Sequence, residues 1–416
     1  MSSPHPGASN PDHSGAFRWR MTLFLAGAAA MNFADRAAMS AVLSAVRVDL
    51  SLSDVALGML GSFFLWSYAL GSIFAGNLAD RWSRARLVRL SLLGWSIVTL
   101  LTGLAHDFPT LLGLRIALGL AECLFFPAAY ALLAQHHSET RARAMSLMAV
   151  GINAGMVAGG SAAGWLAQLY GWRSGFIVFG LIGIALALVS RPFLPGPSPA
   201  ATTTRPTLGA AVRVLMRVPT YWAMVCESML SGMGMWIFFS WLPLYLRETY
   251  GMSLAAAGFS GTFMLQISVM TGLAVGGWFS DRVAGRLRHR RVLLYGAAYL
   301  VAAPFLLLFL GKPSFAVMAA GIACFSFLRG LGQANDHPTL CEVVPPQFRS
   351  TGIGLMNACG TASGGCGVLL AGFLKGDVGL SAVFAAISGA FFLAGLIMLF
   401  IYARYSRRDF ERGGVG

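Results

Sequence analysis

The chain has 416 residues, of which 56% are hydrophobic and only 11% are charged, and its mean hydropathy is +0.68. A soluble globular domain of this length does not tolerate that composition, so the sequence predicts an integral membrane protein in a lipid bilayer. The formal net charge of +14 raises the possibility of nucleic-acid binding, but the basic residues lie between the apolar segments. We therefore expect no nucleic-acid partner.

Apolar runs of about 20 residues or more recur along the chain and predict membrane-spanning helices. The short alternation typical of an outer-membrane barrel is absent. Residues 1–17 are polar and no small-residue cleavage site follows the first run, which predicts a retained helix and not a signal peptide. Breaks at charges, Gly and Pro give twelve predicted helices: 20–45, 53–79, 87–105, 109–135, 143–168, 174–194, 218–247, 254–280, 291–311, 315–343, 349–374 and 380–404.

The stretch RPFLPGPSPAATTTRP, residues 191–206, has the composition of a linker and divides the helices into two sets of six. The predicted fold is an all-α membrane protein with twelve transmembrane helices in two pseudo-symmetric six-helix bundles. Its predicted parts are a cytoplasmic tail 1–19, an N-terminal bundle 20–194, a cytoplasmic linker 195–216, a C-terminal bundle 217–406 and a cytoplasmic tail 407–416.

Basic residues are distributed unequally between the two sides of these predicted helices. Of the 30 Lys and Arg residues, 22 fall on the side that carries both termini, five fall on the other side, and Arg36, Arg115 and Arg329 lie within helices. Cytoplasmic loops carry such an excess of positive charge, so both termini are predicted to be cytoplasmic.

The pattern G-x-x-x-D-R occurs after the second and again after the eighth predicted helix, 201 residues apart. Its members are Gly76, Asp80, Arg81, Gly277, Asp281 and Arg282. A duplication explains the repeat economically. The fifth and eleventh helices also share closely spaced Gly, Ala and Ser, which allow helix backbones to approach closely.

The repeated pattern resembles the loop signature of the major facilitator superfamily, and the resemblance extends over nearly the whole chain. It implies a conformational latch in which the Asp of each loop pairs with basic groups in one state of the transporter. The alternative is a solvated turn that only obeys the positive-inside rule.

The presence of ionisable residues within the predicted helices requires an explanation, because an unpaired charge at bilayer depth costs about 3 kcal/mol on insertion scales. Asn32, Arg36 and Ser40 recur every four residues in the first helix, with Asp35 on the flank of this polar stripe. The stripe predicts a hydrated cavity or a polar neighbouring helix.

In the fourth helix Arg115 and Glu122 are seven residues apart, which places them on one face about 10 Å apart along the axis. An Arg115 side chain that bends toward Glu122 could nearly span that gap. One interpretation is a static ion network between the two helices. The other is that Asp35 and Glu122 exchange protons while Arg36 and Arg115 alternately hold them or a substrate anion.

Four segments carry a closer resemblance, to the anion:cation symporter family of proton-coupled transporters for sugar acids and other organic anions. They are NFADRAAMS (32–40), the R-x-x-x-G-x-x-E-x-x-x-F-P pattern that starts at Arg115, YGWRSGF (170–176) and FFSWLPLYL (238–246). Asn32, on the same polar stripe as Arg36, is a predicted substrate contact. The resemblance implies protonation at Asp35 and Glu122 and anion binding at Arg36 and Arg115. It also implies a bacterial inner-membrane protein that is a monomer.

The tenth predicted helix departs from the sugar-acid members of that family, because it carries several polar residues. Asp336 and His337 could form a second titrating pair, or the His could be a hydrogen-bonding residue only. Arg329, Asn335 and Gln266 are predicted substrate contacts opposite Arg36. Further expectations are that Pro338 kinks the helix and that Glu227 is a structural partner of it. The polar residues of the tenth predicted helix are, in full, Arg329, Gln333, Asn335, Asp336 and His337.

The predicted function is symport of an organic anion with protons by alternating access, without cofactor or metal. The six cysteines lie in apolar segments without metal-ligand spacing and are predicted to be small buried hydrophobes. No HExxH, GxSxG or Walker pattern indicates an enzyme. A rival resemblance is to the spinster-like carriers of lysolipids, which share an Asp-Arg pair in helix one, an Arg and Glu in helix four, and a loop like DRWSRARL (80–87).

Overall fold

The computed structural model describes residues 15–137, 140–196, 208–284, 287–311 and 313–413. Within these ranges the description is limited to the backbone at residues 76, 77, 79–81, 142, 208, 210, 284, 350, 412 and 413. All regular secondary structure in the described part of the chain is helical.

Six long helices precede the linker. They are α1 (Gly15–Asp49), α2 (Asp54–Arg81), α3 (Arg84–Thr102), α4 (Phe108–Glu122, continued by Phe125–His136), α5 (Arg141–Tyr170) and α6 (Arg173–Leu188). Polar residues cap two of them: Ser53 Oγ accepts a hydrogen bond from the amide of Ala56 at 3.2 Å, and Asp107 Oδ1 accepts one from the amide of Thr110 at 2.8 Å.

Six more helices follow the linker, which itself contains the short helix Leu208–Leu215. They are α7 (Pro219–Tyr250), α8 (Leu254–Ala284), α9 (Arg290–Ala302, continued by the 3-10 helix Ala303–Gly311), α10 (Phe315–Gln333, continued by Asp336–Val343), and α11 and α12, which share Arg349–Ile401. Gly379, with φ of 77°, interrupts that last stretch and separates α11 from α12.

The described residues contain nine helical stretches that are long and apolar enough to cross a membrane. One of these contains both α11 and α12. The remaining two crossings are α1, whose apolar run is interrupted by Asp35 and Arg36, and α6, which has only 16 residues. The prediction of twelve crossings is therefore confirmed, although the ends of individual helices shift by several residues.

Proline breaks α4 and α10 at equivalent places. The fourth helix is predicted as continuous, but it is interrupted after Glu122. The next residue, Cys123, lies four positions before Pro127, which has no N–H to donate to the Cys123 carbonyl. The tenth helix is interrupted at Ala334 and Asn335, one turn before Pro338, so the predicted kink is confirmed. Glu122 and Asp336 thus lie at the edges of these breaks.

Small residues bring α1 and α5 into close contact. Gly155 of α5 packs against the backbone of Ala30, and Gly159 packs against Ala34 one turn further along. A side chain at Gly155 would overlap the α1 backbone. The predicted role of the small-residue stripe is confirmed here, because the four-residue spacing places these positions on one face.

Both ends of the described chain lie at one face of the protein, which we call the terminal face. His137, after α4, hydrogen-bonds through Nε2 with the Thr22 hydroxyl of α1 at 2.8 Å. Asp409 Oδ2 accepts hydrogen bonds from the Thr220 amide at 3.0 Å and the Thr220 hydroxyl at 2.7 Å. The segment predicted as a C-terminal tail is thus helical in part, as Arg407–Gly413, and docks on the start of α7.

The two sets of six helices meet in the half of the protein away from the terminal face. The Ser62 hydroxyl of α2 donates to the Gly365 carbonyl of α11 at 2.7 Å, and the Ser40 hydroxyl of α1 donates to the Phe239 carbonyl of α7 at 2.6 Å. Gly160 of α5 contacts the Gly258 carbonyl of α8. Each of these residues lies in the part of its helix remote from the termini, so the bundles are closed against each other there.

Charged side chains join the bundles at this second face, which we call the far face. Lys375 Nζ lies 2.9 Å from Asp54 Oδ1 and 2.9 Å from Glu248 Oε1. Arg47 Nη1 lies 3.1 Å from Glu248 Oε1 and 3.4 Å from Asp54 Oδ1. We refer to Arg47, Asp54, Glu248 and Lys375 as the far-face cluster.

The outer surface carries many exposed apolar side chains, as a lipid-facing surface requires. Phe74, Leu181 and Phe400 are among them. The prediction that all six cysteines are buried is wrong. Only Cys123 is buried, Cys341 and Cys359 are half-buried, and Cys226, Cys324 and Cys366 are exposed, because a helix surrounded by lipid can turn an apolar thiol outward.

Candidate functional site

A buried ion pair connects α1 with α4. Arg36 Nε donates a hydrogen bond to Glu122 Oε2 at 2.7 Å, and Arg36 Nη2 lies 2.7 Å from the same oxygen. Both side chains are almost fully excluded from solvent. The partner of Glu122 is therefore Arg36, and not Arg115 of its own helix.

Aromatic rings enclose the guanidinium of Arg36. Its central carbon lies 4.7 Å from the ring centre of Phe33, 5.1 Å from that of Phe64 and 4.6 Å from that of Tyr68. Aromatic faces attract a cation, and a desolvated contact is worth up to about 2 kcal/mol. The cage keeps Arg36 in place near Glu122 and shields the pair from bulk water.

Asp35 has a different environment from its neighbour Arg36. The Thr99 hydroxyl of α3 donates to Asp35 Oδ2 at 3.1 Å, while Asp35 Oδ1 has no hydrogen-bond partner among the described residues. The side chain is 1% exposed. The two adjacent opposite charges of the first helix therefore point to different helices, Asp35 to α3 and Arg36 to α4.

Arg115 is a buried cation without a direct ion pair in the described part of the protein, and Glu122 and Asp35 act on it only at longer range. It is 3% exposed, and its guanidinium lies 5.6 Å from the ring centre of Phe176. Its Nε and Nη2 atoms have no hydrogen-bond partner among the described residues. Such a group is costly to keep buried unless an anion joins it.

A small cavity lies between the two bundles and includes Arg36 and Arg115 in its lining. Its other polar side chains are Ser40 of α1 and Ser240 of α7. Most of the wall is apolar and comes from α1, α2, α7 and α11. This part includes Leu57, Leu60, Phe64, Trp236, Phe239 and Trp241.

Two of the predicted substrate contacts are Asn32 of α1 and Gln266 of α8. Asn32 is fully buried one turn before Arg36, and its amide atoms have no hydrogen-bond partner among the described residues. Asn32 does not line the cavity described above, and neither does Gln266 of α8, which is half-buried. Their roles in binding stay predictions.

The remaining predicted substrate contacts lie on α10 outside that cavity. Asn335 is fully buried and engaged locally: the Ser280 hydroxyl donates to its Oδ1, and its Nδ2 donates to the Leu331 carbonyl at 3.2 Å. Arg329 is half-buried, and its Nε has no hydrogen-bond partner among the described residues. The structure therefore does not bring Arg329 and Asn335 to Arg36.

A second acidic group lies inside the C-terminal set of helices. The Tyr295 hydroxyl of α9 donates to Glu227 Oε2 at 2.5 Å, and Asp336 is close enough to interact electrostatically with Glu227. His337 Nδ1 lies 3.9 Å from Asp336 Oδ2, but the His337 side chain is 60% exposed. Glu227 thus contacts α9 directly, and its predicted association with α10 is through Asp336.

The two G-x-x-x-D-R loops differ in what the structure describes. Arg291 Nη2 donates to Asp281 Oδ1 at 2.8 Å, and the Arg282 guanidinium lies 3.9 Å from the Trp278 ring centre. Gly277 faces open space. The side chains of the first loop, those of Gly76, Asp80 and Arg81, lie outside the described residues. The latch role of both loops stays a prediction.

Several residues of the site were not singled out from the sequence. Tyr68, Thr99 and Trp236 belong to apolar helices in which no linear pattern distinguishes them. The one available signal in the sequence for Thr99 is that a polar residue occurs in an apolar run. That signal does not show that Thr99 donates a hydrogen bond to Asp35.

Comparison with known proteins identifies the class to which this arrangement belongs. The sequence profile of the Major Facilitator Superfamily matches residues 25–335 and, in an overlapping second match, residues 269–415. The chain belongs to this superfamily. It is an integral membrane transporter and not an enzyme.

The chain is also similar to individual transporters. The cis,cis-muconate transport protein of Acinetobacter baylyi is 26% identical over 398 residues, covering 92% of this chain and 94% of that protein. The probable galactarate/D-glucarate transporter GarP of Escherichia coli is 25% identical over 436 residues, covering 95% and 97%. The probable anion transporter 4, chloroplastic, of Oryza sativa is 25% identical, and the match spans only 64% of its length.

Solved structures support the fold. A bacterial homologue of the human lysosomal transporter Spinster, in an inward-facing and unoccupied conformation, superimposes with a TM-score of 0.75 at 20% identity over 96% of this chain and 99% of that chain. A peptide transporter in complex with sulfate superimposes with a TM-score of 0.74 at 16% identity over 94% and 95%. At this identity the likeness concerns the fold alone.

Proposed function

We propose that this protein is a proton-coupled symporter of an organic anion. The observation that supports the proposal is the buried Arg115, which has no direct ion pair and lines a cavity together with Arg36, the partner of Glu122. The names of several relatives, which include muconate, galactarate and anion transporters, support an anionic substrate.

The proposed binding step uses the two arginines in turn. A substrate carboxylate first pairs with Arg115, which has no direct ion pair among the described residues. The same carboxylate then competes with Glu122 for Arg36, because a guanidinium can form two parallel hydrogen bonds to a carboxylate. Substrate binding thereby removes the cation that stabilises the charge of Glu122.

The proposed coupling step follows from that competition. A carboxylate that loses its cation inside the membrane is stabilised by taking up a proton, since an unpaired buried charge is costly. Glu122 is the first proton carrier in this scheme. Asp35, which has a single neutral donor in Thr99, is the second, and Asp336 with His337 is a further candidate in the other bundle.

Alternating access completes the proposal. The bundles are closed against each other toward the far face, where Lys375 and Asp54 connect them. We propose that the terminal face is cytoplasmic, so that this arrangement is open to the cytoplasm of a bacterial cell. The G-x-x-x-D-R loops would act as latches in the opposite state, and the protein would work as a monomer in the inner membrane.

The test is uptake into liposomes that contain the purified protein under an imposed pH gradient, with protein-free liposomes as the blank. Muconate, galactarate, aromatic acids and lysolipids form the substrate panel. We expect the Asp35→Asn and Glu122→Gln variants to lose accumulation against a gradient while exchange of internal for external substrate persists. Unchanged accumulation in both variants, or uptake of lysolipids alone, would contradict the proposal.

A further inference from the structure

The cavity between the bundles offers few groups that can hydrogen-bond a polyhydroxylated substrate. Its polar side chains among the described residues are the two arginines and two serines. The Ser40 hydroxyl already donates to the Phe239 carbonyl at 2.6 Å, which leaves Ser240 as the remaining hydroxyl. The Trp241 indole N–H of the wall already donates to the Val368 carbonyl at 3.2 Å.

The rest of the wall is suited to an apolar and flat ligand body. Phe64 of α2 and Trp236, Phe239 and Trp241 of α7 contribute aromatic surfaces, and Leu57 and Leu60 contribute aliphatic ones. Pockets that combine such a wall with a few convergent polar groups bind predominantly apolar molecules in a fixed orientation.

The charges of the cavity indicate one carboxylate. Arg36 forms a direct ion pair with Glu122, whereas Arg115 forms no direct ion pair among the described residues and interacts with Glu122 and Asp35 only at longer range. Arg115 is therefore the guanidinium that one substrate carboxylate can bind directly. A second carboxylate on the ligand would find a free guanidinium only after Glu122 had released Arg36.

We infer that the substrate is a monocarboxylate with an aromatic or conjugated body, and not a polyhydroxylated sugar acid. This inference rests on the proposed function and specifies its substrate class. A hexarate has four hydroxyl groups, and each one that enters the cavity without a partner weakens binding by roughly tenfold. An unsaturated or aromatic body instead gains contact with the rings of Phe64 and Trp236.

Calorimetric titration of the detergent-solubilised full chain tests the inference, with cinnamate, galactarate and the uncharged cinnamamide as probes. We expect cinnamate to bind at least about tenfold more tightly than galactarate, and cinnamamide to show no measurable binding. Equal or tighter binding of galactarate would overturn the inference, as would binding of cinnamamide with the affinity of cinnamate.

Two variants with a matched control extend this test. Trp236→Leu should weaken cinnamate binding by about three- to tenfold, whereas Trp165→Leu, at an exposed position of α5, should leave it unchanged. Arg115→Gln should reduce cinnamate binding by more than about tenfold, and Arg115→Lys serves if that variant does not fold. Equal binding by the Trp236 variant and the control would contradict the proposed aromatic contact.

Uptake separates a failure of the inference from a failure of the proposed function. If galactarate accumulates under a pH gradient and binds more tightly than cinnamate, the inference is wrong and the proton-coupled function stands. If cinnamate binds as expected but a pH gradient drives no protein-dependent uptake of any acid, the inferred substrate class stands and proton coupling is wrong.

Discussion

Lys375 of α11 and Asp54 of α2 form an ion pair of 2.9 Å across the two bundles, at the face remote from the termini. The Lys375 side chain is 9% exposed, so the pair is partly shielded from solvent. The same ammonium lies 2.9 Å from Glu248 of α7, and that carboxylate also accepts a hydrogen bond from Arg47 of α1. Because the cluster exists only while the bundles are in contact, it favours the state closed at the far face.

Lys375→Met should therefore shift the protein toward the state open at the far face. The expected effect is a roughly fivefold faster reaction of an introduced Leu43→Cys thiol with a membrane-impermeant maleimide, since a partly shielded pair contributes about 1 kcal/mol. Labelling at position 43 is quantified by mass spectrometry, which separates it from the native cysteines.

The matched control for this experiment is Arg173→Met. Arg173 pairs with Asp49 at 2.7 Å on the same face but within the first bundle, so its loss breaks no contact between bundles. Equally faster labelling in both variants would show that the far face loosens generally. It would contradict the assignment of the far-face cluster as a connection between the bundles.

Removal of one partner of the Arg36–Glu122 pair should destabilise the protein more than removal of both. Arg36→Met leaves the Glu122 carboxylate buried without its cation, which costs about 3–5 kcal/mol. The double variant Arg36→Met with Glu122→Leu leaves no orphan charge and should recover much of that loss. Apparent Tm values in detergent test this, and a double variant less stable than the single variant would disprove it.

Close packing of α1 on α5 predicts a contrast between two glycines. Gly155→Ala should lower the apparent Tm and reduce transport, because the new methyl group overlaps the Ala30 backbone. Gly113→Ala, on α4, meets nothing within 4 Å and should be neutral or stabilising by up to about 1 kcal/mol. Thermal unfolding of both variants checks the contrast, which fails if they lose equal stability.

Asp49, at the far-face end of α1 beyond the predicted span, gives a prediction about pH. Hydrogen bonds from Trp172 and Arg173 lower the pKa of its carboxyl below the ordinary value. A carboxyl with a lowered pKa in the folded state stabilises the protein above its unfolded pKa, near 4, and this stabilisation disappears as the pH falls through the folded pKa.

Asp49→Asn should accordingly be less stable than wild type at pH 7, and the difference should be smaller at pH 3. The side chain is 43% exposed, so the effect after solvent screening is at most about 1 kcal/mol. Apparent Tm values of both proteins at the two pH values provide the measurement. A difference that is the same at pH 7 and pH 3 would exclude the carboxylate charge as its cause.

The sequence by itself determined the class, the twelve crossings and the kink before Pro338. These features depend on local properties: apolar length sets a membrane helix, and a proline removes the N–H that the carbonyl four residues earlier requires. The fourth helix was predicted as continuous but is interrupted before Pro127, while α7 continues through Pro243, so the surrounding packing also decides whether a proline breaks a helix. Arg36, Arg115 and Glu122 were also identifiable as candidates, since charges in apolar runs are costly.

Only the tertiary structure decided how those candidates are paired. Arg36 and Glu122 are 86 residues apart, and their contact depends on how α1 and α4 are rotated about their axes, which no local pattern specifies. The same rotation turns Asp35 toward Thr99 and leaves Arg115 without a direct ion pair in the described part of the chain. Helix periodicity fixes which residues share a face, but the packing of neighbouring helices determines what that face meets.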